Sequence, residues 1–274
     1  MSPVAPASPP PVLALIQPAM HWRLEDNVAA LVRALTRARQ AGATLCLCPE
    51  LALTGFHRQI AQEAAPGRVA AGLAQLQATA GQLGLALAVG APSPAAAGGW
   101  HNSLVLIDAS GEVAGVIPKN GLTPSEATFF VPGDCRPVVA LAGLRVSAVL
   151  CREIEDLPQV SAQLAGQGTQ LLLWPGLMSP VPDDSADGLP RHVRQAQAMA
   201  QALGTTLVQS NWPYSLNTPH ADTVLGRSVV IQPDGRLAAQ LPANACGMGL
   251  WSGGDSAMRW IPCEADDPDL SSDP

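Results

Sequence analysis

Long apolar runs and a secretion signal are both missing from this chain of 274 residues. None of its apolar runs approaches the roughly 18 residues that a membrane-spanning helix requires. Residues 1–11, MSPVAPASPPP, lack the basic start and the hydrophobic stretch of a signal peptide. We therefore expect a cytoplasmic protein that has no membrane partner. The net charge of −7 also argues against nucleic acid as a partner, because phosphates are not attracted to an acidic surface.

The signatures of several enzyme classes are missing as well. The sequence has no Gly-x-Ser-x-Gly elbow, no phosphate-binding P-loop and no His-Glu-x-x-His motif. Its six cysteines show no metal spacing, because Cys46 and Cys48 lie on one face of a strand and no pair of histidines completes a site. The sequence thus predicts no metal site, and without a secretion signal we expect no disulfides.

Lysine is nearly missing. Of the 15 basic side chains, 14 are arginine and one is Lys119. A bias toward arginine explains the scarcity, so a lysine that persists suggests a task that a planar guanidinium cannot perform. A compact ammonium can approach a small reacting group as a point charge. Alternatively, Lys119 is a lysine by chance and has no such task.

Apolar strands alternate with amphipathic helices along the chain, which predicts an α/β fold. Two hairpins, at 103–118 and 226–242, resemble each other and indicate two similar halves, each a βαβ unit followed by a hairpin. Stacked sheets with helices outside would form a four-layer αββα sandwich of two mixed sheets. We expect a flexible Pro-rich arm at 1–11, a single domain at 12–262 and an acidic tail at 263–274. The strands are predicted at 12–17, 44–48, 85–91, 144–150, 169–175 and 205–211, and the helices at 24–41, 69–83, 159–165 and 191–203.

Cys151 follows directly on one of these strands. The run from Leu144 to Leu150 alternates in polarity, and a polar turn that enters a helix follows the cysteine. Backbone N–H groups at such a turn are unpaired and can stabilise an anion. A lone cysteine is more often a small buried hydrophobe than a nucleophile, so Cys151 alone decides nothing.

Two other reactive side chains also stand at strand ends. Glu50 follows the strand at 44–48, and Lys119 follows the hairpin at 103–118. A cysteine nucleophile needs a base to take its proton and a cation to favour its anion, and these two residues supply both. Either could instead be an ordinary solvated charge. Their joint occurrence at three matched strand ends favours a catalytic site.

Short motifs occur in a fixed order along residues 12–242. They are CPELALTGF at 48–56, Asn102-Ser103, Lys119 with Glu126 and FVPGD at 130–134, Cys151 with Pro158, and Gly226-Arg-Ser228 followed by PDG at 233–235. Together they resemble the successive signatures of the nitrilase, or carbon–nitrogen hydrolase, superfamily, and the chain looks like an amidase-type member.

The resemblance implies an αββα sandwich that assembles into homodimers or larger oligomers. It also implies a Glu50–Lys119–Cys151 triad, with Glu126 positioning the substrate or the base. Cysteine attack on a small amide would give a thioester and then an acid plus ammonia, without a metal or an organic cofactor. Lys119 and the backbone N–H of Arg152 would stabilise the oxyanion.

Substrate recognition is less defined by the sequence. The family usually has an aromatic or acidic residue where this chain has Arg152. This guanidinium could favour an ω-amide or an N-carbamoyl acid, or it could pair with Glu155 or Asp156. Trp174 is predicted at the mouth of the pocket, and Phe56, at the end of the first motif, is predicted to bind substrate. The alternatives are a nitrilase, which Cys-x-Glu at 151–153 resembles, and a catalytically silent binding module.

Overall fold

The computed structural model describes residues 11–179, 188–218, 224–254 and 256–263. The predicted arm at 1–11 and the predicted acidic tail at 263–274 lie outside these residues, apart from Pro11 and Cys263. The limits of the single domain therefore stay a prediction. Among the described residues, no helix is both long and apolar enough to cross a membrane.

Thirteen strands and five α-helices occur in the described part of the chain. The strands are β1 (Leu13–Gln17), β2 (Leu45–Leu47), β3 (Ala86–Pro94), β4 (Trp100–Ile107), β5 (Val113–Pro118), β6 (Val139–Leu141), β7 (Leu144–Ala148), β8 (Leu171–Gly176), β9 (Thr206–Asn211), β10 (Val229–Ile231), β11 (Leu237–Gln240), β12 (Gly247–Trp251) and β13 (Arg259–Pro262). The α-helices are α1 (Leu24–Gln40), α2 (Ile60–Glu63), α3 (Pro66–Leu83), α4 (Leu157–Leu164) and α5 (Arg191–Leu203).

The strands form two mixed sheets, which confirms the predicted fold class. The first sheet has the order β13-β12-β1-β2-β3-β4-β5, and the second has the order β11-β10-β9-β8-β7-β6. In each sheet three consecutive parallel strands are followed by an antiparallel hairpin. The two predicted halves are thus present; β2 is the middle strand of the three parallel strands in its half, and β7 is the first of the three in the other.

The side chains of the strands separate the four layers. Leu13 and Leu15 of β1 pack between the two sheets, whereas Ala14 and Ile16 pack against α1 and α3. The second sheet packs in the same way against α4 and α5 on its outer face. This arrangement follows from the strand period of two, which sends successive side chains to opposite faces.

Sequence reasoning missed α2, β6, β12 and β13. Strand β12 pairs with β1 and extends the first sheet, but two of its five residues are glycine. A Cβ at Gly247 would lie 2.5 Å from the indole ring of Trp260, and one at Gly249 would lie 2.3 Å from Leu241. Glycine here makes room for neighbouring side chains, so the usual propensity signal for a strand is absent.

Candidate active site

Glu50 lies in the turn that follows β2, and its side chain is completely buried. The turn packs on the backbone of β3, because a Cβ at Gly90 would lie only 2.3 Å from the amide nitrogen of Leu51. The indole N–H of Trp212 donates to the carbonyl oxygen of Glu50 at 2.8 Å. The turn is therefore held by two separate contacts, one from each sheet.

Lys119 directly follows β5, and its ammonium is buried between two carboxylates. Its Nζ lies 2.7 Å from Oε1 of Glu50 and 2.6 Å from Oε1 of Glu126. Its backbone N–H donates to the carbonyl oxygen of Asn102 at 2.8 Å, which continues the pairing of β4 with β5. The structure thus brings together three of the predicted site residues.

Asn102 is a site residue that sequence reasoning did not single out as functional. Its side-chain amide donates to Oε1 of Glu50 at 2.8 Å and to Oε1 of Glu126 at 2.9 Å. The side chain is completely buried near the start of β4. A polar residue that precedes the apolar run Leu104–Ile107 was the available signal. Lysine and asparagine together satisfy one oxygen of each carboxylate.

Glu126 begins a short 3₁₀-helix in the loop between β5 and β6. Its Oε2 accepts from the backbone N–H of Thr123 at 2.9 Å, and its own N–H donates to the hydroxyl of Thr123 at 3.2 Å. This reciprocal pair fixes the carboxylate at the start of the turn. The long loop thereby places a second carboxylate against Lys119, in addition to that of Glu50.

Cys151 stands at the turn from β7 into a 3₁₀-helix at Cys151–Glu155. Its φ of 50° lies in the left-handed region, which a residue with a Cβ rarely adopts. Such strain is typical of functional turns, where the surrounding structure holds one side chain in a set direction. The thiol is half-buried, and its Sγ lies 3.8 Å from the carbonyl oxygen of Leu177.

The charged groups of the site act on one another. Burial, followed by the negative charge of Glu50, raises the pKa of the Cys151 thiol, and the ammonium of Lys119 opposes this rise. Burial also raises the pKa of Glu50. Burial acts to lower the pKa of Lys119, but the negative charges of Glu50, Cys151 and Glu126 outweigh it and raise this pKa above its ordinary value. The resting site therefore contains a protonated thiol and a charged ammonium.

One oxygen of Glu50 stands apart from this network. Oε1 accepts from both Lys119 and Asn102, whereas Oε2 is buried and accepts no hydrogen bond from any described residue. A buried acceptor without a donor is unfavourable unless it has another use. A carboxylate oxygen in this state is available to take a proton.

A third buried carboxylate, Glu153, lies in the 3₁₀-helix that begins at Cys151 and was not identified from the sequence as a site residue. It forms an ion pair with Arg136 at 3.0 Å and accepts hydrogen bonds from backbone N–H groups of Leu150, Asn120 and Gly121. Burial acts to raise the pKa of Glu153, but the charge of Arg136 and these hydrogen bonds hold it below its ordinary value. Its carboxylate is occupied by these partners.

The three predicted substrate-binding residues have different surroundings. Arg152 pairs with Asp156, with its Nη2 2.9 Å from Oδ1, which was one of the predicted alternatives. Trp174, which was predicted to line the mouth of the pocket, is completely buried and donates its indole N–H to the carbonyl oxygen of Cys151 at 2.9 Å. Phe56 packs against the cluster between the first sheet and its helices. Contact of these residues with substrate stays a prediction.

The described residues contain no group of three His, Cys, Asp or Glu side chains arranged to hold a metal ion.

The predicted loop at 176–189 is described only at 176–179 and 188–189, and the remainder lies outside the described residues. Gly176 and Leu177, in the described part, lie beside Cys151: a Cβ at Gly176 would lie 3.5 Å from the Cα of Cys151, and the carbonyl oxygen of Leu177 lies 3.8 Å from its Sγ.

Comparison with known proteins places this site in a family. The family model described as carbon-nitrogen hydrolase matches residues 12–250 of the chain. The chain belongs to the carbon–nitrogen hydrolase family. This match and the solved structures below confirm the resemblance to amidase-like members of the nitrilase superfamily.

Two curated proteins match the chain. An (R)-stereoselective amidase of a Pseudomonas species is 36% identical over 152 residues, which are 54% of each protein. A glutamine-dependent NAD(+) synthetase of Rhodobacter capsulatus is 27% identical over 230 residues, 80% of this chain and 39% of the synthetase. The matched part thus spans about half, or less, of the length of these relatives.

Solved structures cover nearly the whole carbon–nitrogen hydrolase chain. An amidase from Nesterenkonia sp. matches with a TM-score of 0.74 and 28% identity, over 94% of this chain and 91% of the amidase. A cysteine-to-alanine variant of that amidase in complex with butyramide matches with a TM-score of 0.76 and 28% identity, over 94% and 93%. A glutamate-to-glutamine variant, in which acrylamide has added to the active-site cysteine, matches with a TM-score of 0.74 and 29% identity, over 87% and 91%.

Proposed function

We propose that this protein hydrolyses small amides to an acid and ammonia through a thioester on Cys151. The observation that carries the proposal is the arrangement around Glu50. Lys119 and Asn102 hold Oε1, while Oε2 is buried and accepts no hydrogen bond from the described residues. Such a carboxylate is a positioned general base. The solved amidase whose cysteine variant binds butyramide supports the same reaction class.

The first half of the reaction forms the thioester. Glu50 takes the proton of the Cys151 thiol as Sγ attacks the amide carbon, and the electron pair of the C=O bond moves to oxygen. The Lys119 ammonium and the backbone N–H of Arg152 stabilise this oxyanion. The electron pair then returns, the C–N bond breaks, and ammonia leaves with the proton from Glu50.

The second half releases the acid. Glu50, now deprotonated, takes a proton from water as the water oxygen attacks the thioester carbon. The C–S bond breaks when this second tetrahedral intermediate collapses, and the proton on Glu50 returns to the sulfur. Glu126 also accepts a hydrogen bond from Lys119 throughout, so the ammonium keeps its place while Glu50 changes protonation state.

The substrate class follows from the surroundings of Arg152. Its guanidinium is paired with Asp156 in a bidentate arrangement, at 2.9 and 3.2 Å. A substrate carboxylate would have to displace Asp156 to bind there. We therefore rank short uncharged amides ahead of ω-amides and N-carbamoyl acids, and all of these ahead of nitriles.

Ammonia release from these four substrate classes tests the proposal. We expect turnover with short aliphatic amides, with kcat lowered about 10²- to 10⁴-fold in Glu50→Gln and activity abolished in Cys151→Ala. Lys119→Arg should also be inactive, because a guanidinium does not fit the space between two carboxylates. Exposed Glu112 provides the matched control, and Glu112→Gln should keep full activity. Retained turnover in Cys151→Ala or Lys119→Arg would overturn the proposal.

A further inference from the structure

The carboxylate of Glu153 joins two chain segments that carry candidate catalytic groups. Its Oε1 accepts from the N–H groups of Asn120 at 2.6 Å and Gly121 at 3.0 Å. Its Oε2 accepts from the N–H of Leu150 at 2.7 Å. Asn120 directly follows Lys119, and Leu150 directly precedes Cys151.

These two segments come from different sheets. Lys119 directly follows β5 of the first sheet, and Cys151 follows β7 of the second. No β-ladder links β5 to β7, so strand pairing alone does not set the spacing of the two side chains. The two oxygens of one buried carboxylate connect them instead.

We propose that Glu153 is a positioning residue that sets the place of the Lys119 ammonium relative to the Cys151 thiol. The inference rests on the proposed function, since the spacing matters because the ammonium stabilises the thiolate and the oxyanion. Glu153 itself contacts backbone N–H groups and Arg136, and it acts on the reaction through the residues that it holds.

Arg136 stabilises the negative charge of the buried Glu153 carboxylate. Its Nη1 and Nη2 lie 3.1 and 3.0 Å from the two oxygens of Glu153, and both side chains are buried. Arg136 also donates to the carbonyl oxygen of Ala148 and to the side chain of Gln163. The paired charges offset each other, so the bridge adds little net charge beside the thiol, which is influenced by Glu50, Lys119 and Glu126.

A substitution of Glu153 by glutamine separates bridging from simple packing. Glutamine has the same shape, but it has one acceptor oxygen and one donor amide. If its oxygen accepts from Asn120 and Gly121, its NH₂ group faces the N–H of Leu150, and the hydrogen bond to Leu150 is lost. In the reverse orientation the hydrogen bonds to Asn120 and Gly121 are lost. In either case one segment loses its hydrogen bond to residue 153, although the volume of the side chain is unchanged.

The test compares Glu153→Gln with Glu63→Gln. Glu63 is also buried, pairs with Arg68 at 2.7 Å and accepts from the backbone N–H of Leu24 at 2.6 Å, but it lies in the helix layer of the first sheet. We expect Glu153→Gln to lower kcat for a short amide about 100-fold with little change in KM, as a displacement of about 1 Å does. Glu63→Gln should lower the melting temperature and leave kcat unchanged.

A second measurement reports the position of the Lys119 ammonium relative to the Cys151 thiol and does not require turnover. The rate of Cys151 alkylation by iodoacetamide, followed by mass spectrometry across pH, reports how strongly the ammonium favours the thiolate. We expect the profile to move to higher pH in Glu153→Gln and to stay in place in Glu63→Gln. A merely structural role would reduce the folded fraction and leave the profile of the folded protein unchanged.

The outcomes are distinguishable from those of the proposed function. If Glu153→Gln keeps both kcat and its alkylation profile, the inference is wrong even though the wild type hydrolyses amides. If the wild type hydrolyses no amide and the alkylation profile still moves, the proposed function fails while the positioning role stands. If Glu153→Gln does not fold, Glu153→Asp takes its place, because it keeps the charge but is too short to reach both segments, and the same two readouts decide.

Discussion

The indole N–H of Trp212 donates to the backbone carbonyl oxygen of Glu50 at 2.8 Å, and so links the segment after β9 of the second sheet to the turn after β2 of the first. Trp174 makes the corresponding contact with the carbonyl oxygen of Cys151. Each of two reactive residues thus has its main chain held by a completely buried tryptophan. The orientation of the side chains depends on these contacts as well as on the strands.

Trp212→Phe should destabilise the protein more than Trp251→Phe does. Both indoles are buried, but Nε1 of Trp251 donates to no described residue, so its replacement sacrifices no hydrogen bond. The loss at Trp212 leaves the carbonyl oxygen of Glu50 unpaired, which costs about 1–3 kcal/mol. Urea unfolding of the two variants measures the difference, and kcat should fall in Trp212→Phe. Equal free energies of unfolding in the two variants would contradict the expectation.

Gly90→Ala should reduce activity by displacing Glu50. The added methyl group would lie 2.3 Å from the amide nitrogen of Leu51 and 2.4 Å from the carbonyl oxygen of Pro49, so the backbone of the turn has to move. We expect kcat to fall about 100-fold, since a displacement of about 1 Å has such an effect, with a stability loss of about 1–3 kcal/mol.

Gly67→Ala is the matched control for this substitution. A Cβ at Gly67, in the first turn of α3, would meet no atom within 4 Å. Alanine at an unstrained helical position should raise the stability by about 0.4–1 kcal/mol, and activity should be unchanged. Activity in Gly90→Ala equal to that of Gly67→Ala would show that the turn tolerates the methyl group.

Glu50→Gln should increase the reactivity of Cys151 toward alkylation although it lowers kcat about 10²- to 10⁴-fold. The negative charge of Glu50 contributes to the raised pKa of the thiol, so its removal leaves the opposing effect of Lys119 and lowers that pKa. The iodoacetamide profile of the Cys151 peptide should therefore move to lower pH. Slower alkylation in Glu50→Gln would mean that Glu50 is needed to deprotonate the thiol even toward this reagent, and Glu112→Gln serves as the unchanged reference.

The stability of the protein should fall as the pH is lowered from about 6.5 to about 4, in part because of His192. Burial lowers the pKa of His192 from 6.5 to about 4. Within this window the unfolded chain binds a proton that the folded chain does not, so acid favours unfolding. At full effect, this lowers the free energy of unfolding by on the order of 3 kcal/mol. The full effect is reached once the pH is below the pKa of His192 in the folded protein.

His192→Phe should remove this part of the pH dependence. Phenylalanine keeps a ring against Trp174, whose centroid lies 5.9 Å from that of His192, and cannot bind a proton. Chemical unfolding at pH 7 and at pH 5 measures the change, with His101→Gln as the control, since His101 is only half-buried at the start of β4. An identical loss of stability between the two pH values in wild type and His192→Phe would refute the assignment.

Sequence patterns predicted most of the fold for identifiable reasons. Helix α5 was predicted with its observed bounds, because its apolar face recurs with the helical period. Strand β12 was missed since its glycines are selected by Trp260, Leu241 and Met258, which come from elsewhere in the chain. Glu50 and Lys119 were identified because each stands just after an apolar strand, whereas Glu153 was missed because Arg136 and the backbone N–H groups of Asn120 and Gly121, which it joins to its own turn, lie far from it in the chain.

The sequence by itself determined the order of strands and helices, the apolar faces that stack into four layers, and the chemistry available at the strand ends. These are local properties, since periodicity and residue type act within a few positions of the chain. Only the tertiary structure decided that Lys119 lies between Glu50 and Glu126 and that Glu153 joins the segments that follow β5 and β7. Those contacts depend on where separate segments meet, and the pKa values of the buried groups depend in turn on these contacts.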